Sequence, residues 1–285
     1  MSAVAPTRVS AAIAAALDAL GLDSPTITPL AGGALNSSFR LQGGGQDLVL
    51  RVTGKPAEAL GASARSESAM QTLAANARLA PAVVLADPAR GFVVSRHEPG
   101  SAPQARDMRD GRLLRRIGVW IAQLHALDAP AGLPAVDFGE RAAGYLARVA
   151  AARDDAFIGR LQGELARRRA ALAAPARLAP CHHDLHRRNL LDDGRRLLAV
   201  DWEYAGPGDP AADLAACIGY HALDAGASKA LLDGYGRKDA AFRERVAALG
   251  WIFDCLWFGW NAAAAHEGIA PDPHEQSQLA ARLAH

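Results

Sequence analysis

The sequence predicts an α+β protein in two lobes. One is a small, β-rich N-lobe over residues 1–98; the other is a larger, mainly helical C-lobe over residues 99–285. Three observations carry this expectation. Before about residue 100, short strand-like runs alternate with glycine-rich turns. After "EPGSAP", apolar residues recur at helical spacing. Inside the helical part lies one strand–loop–strand island, "CHHDLHRRNLLDDGRRLLAVDWEYAG".

The elements follow in order. "MSAVAPTRVSAAIAAALDALGL" is alanine-rich. Its Asp18, and the Gly21 that ends the pattern, predict a soluble amphipathic helix rather than a signal peptide. "TITPL" leads into "AGGALNSS", then "FRLQ", the turn "GGGQ" and "DLVLRV". A helix is expected across residues 62–78, then strands at "AVVLA" and "GFVVSRHE" and an extended connector near residues 95–100. "DGRLLRRIGVWIAQLHALDAP" sets Leu113, Leu114, Ile117, Trp120, Ile121 and Leu124 on one helical face. Residues 141–173 and most of 208–284 also read as helix. There is no internal repeat and no long low-complexity linker.

Composition excludes some classes of function. Half of the 285 residues are apolar, 21% are charged and the formal net charge is +1. Neither a basic excess for nucleic acid nor an acidic tail is present. Arginine supplies nearly all the positive charge, with Lys55, Lys229 and Lys238 the only lysines, as in a GC-rich coding bias. Cys181, Cys217 and Cys255 are sparse and far apart, which predicts reduced thiols and a cytoplasmic location. No apolar run approaches the roughly 20 residues that span a bilayer, so no membrane partner is expected.

The island carries the chemistry. Asp184 and Asn189 fit the spacing H-x-D-x-x-x-x-N, with His182 in front and Asp201 closing the apolar run "LLAVD". Phosphoryl transfer needs this set: a carboxylate to accept or orient a hydroxyl proton, and an amide oxygen with a second carboxylate to hold magnesium. The protein-kinase version is H-R-D-x-x-x-x-N followed by D-F-G. Here His183 fills the arginine slot and "DWE" replaces D-F-G. A zinc site on His182, His183, Asp184 and His186 is the competing reading. It leaves Asn189 and Asp201 without a role.

"HHDLHRRNLL" and "VDWEYAGPGDPAADLA" resemble the signatures of the aminoglycoside phosphotransferase and choline kinase superfamily. The second is similar to the form found in choline-kinase-like and thiamine-kinase-like members. The resemblance extends from about residue 25 to 270. It implies a protein-kinase-like two-lobed fold, ATP and Mg2+ as cofactors, and a small-molecule hydroxyl acceptor as the partner. It makes Asp184 the catalytic base and Asn189 and Asp201 the metal ligands. His182 becomes structural support for the loop, with Asp213 of "DLA" as its partner. His186 and Arg187 either reach substrate or phosphate or face water.

The N-lobe supplies the nucleotide side. "LAGGALNSSFRL" has the form of a phosphate-covering loop, weak alone because glycine pairs are common in hairpins. In "DLVLRV", alternation puts Leu48, Leu50 and Val52 on one face and Val49 and Arg51 on the other. Arg51 therefore takes the slot of the kinase lysine, and a guanidinium can clamp phosphate through two bonds. Glu67 of "RSESAM" is its expected ion-pair partner, against the plainer reading of a solvated helix glutamate. The backbone of about Ser95 to His97 is expected to hydrogen-bond adenine.

The acceptor side is thinner. "WIFDCLWFGWNAAAAHE" puts Trp251, Trp257, Phe258 and Trp260 on one helix with Asp254 among them. Trp202, Glu203 and Tyr204 follow the metal aspartate directly. Aromatic rings beside a carboxylate suit a quaternary ammonium or a flat cation, while tryptophans at helical spacing are usually core. Trp202, Glu203, Tyr204, Trp257 and Trp260 are the candidate acceptor residues. The expected reaction moves the γ-phosphoryl of ATP to a hydroxyl of an amine-bearing metabolite, choline-, ethanolamine- or thiamine-like. The alternatives are an aminoglycoside or amino-sugar phosphotransferase and a nucleotide-binding pseudokinase.

Overall fold

The alanine-rich start forms α1 (Pro6–Leu20), and the strand-spaced runs after it form β1 (Thr26–Leu30), β2 (Ser37–Gly43) and β3 (Gln46–Val52). The short α2 (Lys55–Ala59) and α3 (Ala64–Asn76) come next, then β4 (Val83–Asp87) and β5 (Phe92–Arg96). These elements belong to a computed structural model that describes residues 6–30, 35–152 and 155–284. The five strands make one antiparallel sheet in the order β1-β2-β3-β5-β4. Gly44 and Gly45 close the β2–β3 hairpin with φ of 56° and 75°. Two consecutive left-handed residues are what a two-residue hairpin loop of matching twist requires.

The predicted alternation in β3 sets the layers of this part. Leu48, Leu50 and Val52 are buried together with Leu41, Phe92 and Val94, and Ala12 and Ala16 of α1 cover them. Burying one such leucine contributes about 1.5–3 kcal/mol. Arg51 falls on the opposite face, paired across the sheet with Ser38 and Val93. α3 packs against β4 and β5. Its N-cap is Ser63, whose hydroxyl accepts from the Ser66 amide.

The rest of the chain is helical around short strands. In order it forms α4 (Gly111–His125), α5 (Phe138–Ala152), α6 (Ala156–Ala171), β6 (Ala179–Cys181), β7 (Leu190–Asp192), β8 (Leu197–Ala199), β9 (Gly206–Gly208), α7 (Pro210–Tyr220), α8 (Ala225–Tyr235), α9 (Ala240–His266) and α10 (Pro273–Leu283). β6 pairs with β9 and β7 with β8, both antiparallel. The apolar stripe of α4 is buried as its spacing predicts. α4 and α8 cross with backbones almost touching, because a Cβ on Gly118 would lie 2.1 Å from the Leu231 carbonyl oxygen. α9 is the long central helix, with α5, α7 and α10 packed on it.

By contacts the chain forms two compact units. The first holds the described residues up to Ala102 together with Asn189–Ala205; the second holds Pro103–Arg188 and the residues from Gly206 onward. The division differs from a single cut near residue 99, since the β7–β8 hairpin and the segment after it join the first unit. Main-chain bonds account for this. The Ala199 amide donates to the Leu79 carbonyl (2.9 Å), and the Ser63 amide donates to the Glu203 carbonyl (3.0 Å). Ser101 and Asp192 exchange bonds in an isolated bridge. The three cysteines are free and buried. Among the described residues, no helix is long and apolar enough to cross a membrane.

Candidate active site

In the second unit, the loop after β6 carries His182, His183 and Asp184. The Asp213 carboxylate on α7 is fully buried and ties this loop down. The main-chain amides of His182 (2.9 Å) and His183 (2.7 Å) both donate to it. His125 at the end of α4 donates from Nε2 to the same carboxylate (3.0 Å), and Tyr235 of α8 reaches Nδ1 (3.2 Å). Burial opposes the charge of Asp213, but the His125 bond and the loop amides outweigh it and hold the acid well below the ordinary carboxylate range. Asp213 thus meets His182 through its amide. The ring Nδ1 accepts from the Asp184 amide (3.3 Å). His183 adopts a left-handed φ of 64°, rare for a residue with a side chain.

Asp184 is half-buried at the end of this brace. Tyr220, on the last turn of α7, donates its hydroxyl to Asp184 Oδ1 at 2.5 Å. His186 Nε2 lies 3.9 Å from Oδ2. The Tyr220 ring packs edge-on against Phe253 (4.7 Å), Trp257 (4.8 Å) and His186 (5.3 Å). Arg187 donates to the Pro103 carbonyl (3.2 Å). Asp254 pairs with Arg282 at 2.6 Å; burial is the larger influence and lifts its carboxyl to about 6.

In the first unit, Arg51 gathers three carboxylates. It bonds to Glu67 of α3, to Asp201 Oδ1 (2.5 Å) and to Glu203 (3.3 Å). Burial works against the guanidinium charge, but the three acids outweigh it and raise its affinity for the proton. Burial likewise raises Glu67, which is 1% exposed, against the pull of Arg51. It raises Glu203 to about 8, helped by Asp201. Asn36 completes the cluster: its amide donates to Glu203 (2.8 Å) and its oxygen accepts from the Gly54 amide (3.1 Å). Asn189 is held next to Asp201 by the hairpin, since the Val200 amide donates to the Asn189 carbonyl (2.9 Å) ahead of the Leu190–Ala199 pair. Asp201, like His183, is left-handed, with φ of 66°. Such strain costs about 1–3 kcal/mol and concentrates at functional positions.

Several sequence expectations change. Trp202 is fully buried and gives its indole N–H to the Ala199 carbonyl (3.0 Å). It packs in the core of the first unit. The Glu203 carboxylate is spent on Asn36 and Arg51, and Tyr204 beside it is buried. Trp257 and Trp260, in the second unit, are half-buried. Trp257 touches Tyr220 and Phe253, with the Arg282 guanidinium 5.9 Å from its ring centre. Ser95 lies in the sheet ladder, and the His97 amide donates to the Asp47 carbonyl (3.0 Å). That amide is unavailable to adenine while the sheet is intact. The glycine pair Gly32–Gly33 lies outside the described residues.

The donor chemistry suits one of the two metals considered. Asn189 and Asp201 offer hard oxygens of the kind magnesium takes. For zinc, the four loop residues do not gather. Among the described residues the one close trio of ligating type is His125, Cys181 and Asp213, all buried. Its carboxylate already serves two amides and an imidazole, and burial first, then Asp213, push the Cys181 thiol up. The trio is thus part of the brace that holds the loop.

Asn36, His125 and Tyr220 were not singled out from the sequence. Tyr220 had a signal: it follows Asp213 by seven residues, two helical turns, and so shares the face of α7 that meets the loop.

A family model described as "Phosphotransferase enzyme family" matches residues 26–249. Protein LicA of Haemophilus influenzae is 31% identical over 99 residues, 32% of this chain and 37% of LicA. A thiamine kinase of Shigella boydii is 49% identical over 49 residues, 17% of this chain and 18% of that protein. These alignments therefore span well under half of the curated relatives. A choline/ethanolamine kinase family protein from Mesorhizobium loti superposes with a TM-score of 0.79 at 28% identity, covering 97% of this chain and 94% of that one.

Proposed function

Because the chain belongs to the phosphotransferase enzyme family, we propose that it transfers the γ-phosphoryl group of ATP to a hydroxyl of a small amine-bearing metabolite of choline, ethanolamine or thiamine type. One observation carries the reading. Asp184 is a half-buried carboxylate on a loop braced by Asp213, five residues before the hairpin that sets Asn189 beside Asp201. The likeness to kinases of choline, ethanolamine and thiamine supports the acceptor class.

Asp184 orients the acceptor hydroxyl and takes its proton as the acceptor oxygen bonds to the terminal phosphorus. The bond from that phosphorus to the bridging oxygen breaks, and ADP leaves with the electron pair. Arg51, aimed by Glu67 and Asp201, offers its remaining N–H donors to the phosphates. Asn189 and Asp201 would hold magnesium, which would supply charge neutralisation of the phosphates. The amides of residues 182 and 183 keep Asp184 at a fixed height on its loop, so little reorganisation is left for the reacting state.

Tyr220 and Trp257 form the aromatic side of the acceptor region in this reading. A polycationic aminoglycoside has less support, because Asp254 is already neutralised by Arg282 at 2.6 Å.

The test is a coupled ADP-release screen with Mg-ATP against choline, ethanolamine, thiamine, aminoglycosides and amino sugars. Turnover with one of the first three, with its phosphate ester found by 31P NMR, is expected. Turnover with an aminoglycoside alone would favour the second reading. No ADP release with any acceptor of the panel, together with Mg-ATP binding by calorimetry, would favour the nucleotide-binding pseudokinase.

A further inference from the structure

We propose that Tyr220 is the positioning residue of Asp184: its hydroxyl fixes Oδ1 so that Oδ2 faces the acceptor hydroxyl. The inference rests on the role of Asp184 given above. The bond is 2.5 Å, within the range of a hydroxyl donating to an ionised carboxylate. A carboxyl group otherwise turns broadly about its last torsion. With one oxygen pinned by a rigid phenol, the other has a defined direction.

The phenol is itself held. Phe253, Trp257 and His186 pack edge-on around the ring at 4.7, 4.8 and 5.3 Å. Its neighbour Gly219 has no Cβ, and one built there would sit 2.6 Å from Phe253 Cδ1. A side chain at residue 219 would force the Phe253 ring to shift. α7 also carries Asp213 two turns earlier, on the loop amides. One rigid helix therefore sets both the main chain of residues 182 and 183 and the carboxylate of residue 184. A ring that only filled space would need no hydroxyl.

Other charged groups stand around the pair. On the loop, His186 lies 3.9 Å from Asp184 Oδ2 and Arg187 bonds to Pro103. Just past the end of α7, His221 follows Tyr220. From α9, Asp254 is paired with Arg282 of α10, which also donates to the Gly219 carbonyl. Glu275 of α10 senses Arg188 and His186.

Two readouts on Tyr220→Phe test the proposal. The first is the titration of the Asp184 carboxyl by 13C NMR, with the signal assigned by its loss in Asp184→Asn. Losing a donor to the ionised form should move the midpoint up. Replacing Tyr220 by 3-fluorotyrosine, a stronger donor of the same shape, should move it down. The second readout is ADP release from Mg-ATP, with water and with the best acceptor of the panel. The expected loss in kcat is about 10- to 100-fold, the range for a bond to a charged group, with the KM for ATP unchanged. An unmoved midpoint in both variants would overturn the proposal. So would an unchanged kcat with a raised acceptor KM, which would make the hydroxyl an acceptor contact. If Asp184→Asn itself keeps full turnover, the reading of the site fails and with it the catalytic meaning of the brace. The NMR shift would then report only a structural bond.

Discussion

Arg51→Met removes one cation from among three acids, and the structure gives the scale of the loss. The guanidinium serves Glu67, Asp201 and Glu203, and its side chain is 14% exposed against 2% for Glu67 and 6% for Glu203. Removing one partner of a buried ion pair costs about 3–5 kcal/mol, because the remaining charge stays in a poorly solvated place. At about 2–4 °C per kcal/mol, the melting temperature should fall by roughly 6–20 °C. Glu67→Gln alone should also destabilise, since it leaves Arg51 with less compensation. The double variant should cost less than the sum of the two, because each single change strands what the other would have left. Urea denaturation of wild type, both single variants and the double variant supplies the cycle. A loss below about 1 kcal/mol for Arg51→Met, or strict additivity with Glu67→Gln, would refute the buried network as described.

Other consequences follow from packing and titration. His183 is buried with both ring nitrogens unpartnered among the described residues, and burial first of all depresses it to about 3. A base depressed on folding contributes stability above its unfolded value near 6.5, and this is lost as pH falls toward 3. Between pH 8 and pH 5 the folded state should lose about 2 kcal/mol. His183→Asn, which tolerates a positive φ, should reduce that slope; an unchanged slope by urea titration at the two pH values would contradict the assignment. Gly118→Ala drives a methyl into the Leu231 carbonyl, a backbone obstacle that cannot swing aside. It should destabilise by about 1–3 kcal/mol despite alanine's better helix propensity, and a stabilised variant by thermal melting would count against the close crossing of α4 and α8.

Much of the fold was legible because its periodicities are strong. The β3 alternation set Leu48, Leu50 and Val52 against Arg51 without any knowledge of the sheet. The α4 stripe needed only a count of threes and fours. Asp184, Asn189 and Asp201 stood out because their spacing makes sense only together. The misses have a common physical cause. Trp202 looks like a ligand-facing aromatic in one dimension, but its burial depends on strand packing that no local pattern encodes. Glu203 reads as a surface acid until Asn36, 167 residues earlier, takes its carboxylate. His125 sits in an apolar stripe where nothing local marks it as the partner of Asp213, 88 residues later. At His97 nothing in the sequence marks that the amide pairs with Asp47, a bond set by the β3–β5 register. Long-range polar partners are fixed by topology, and the sequence marks only those that repeat along a helix, as Asp213 and Tyr220 do.

The central claim is that Asp184 moves the acceptor proton and does not hold the nucleotide. Asp184→Asn, measured for turnover with the acceptor found by the ADP-release screen and for ATP affinity by calorimetry, tests it most directly. The carboxamide keeps the shape and can no longer accept the proton, so kcat should fall by about 10²–10⁴-fold, the usual share of one general base. The Kd for Mg-ATP should stay within about twofold of wild type. Near wild-type turnover, or a loss of ATP affinity that accounts for the loss of rate, would contradict the account.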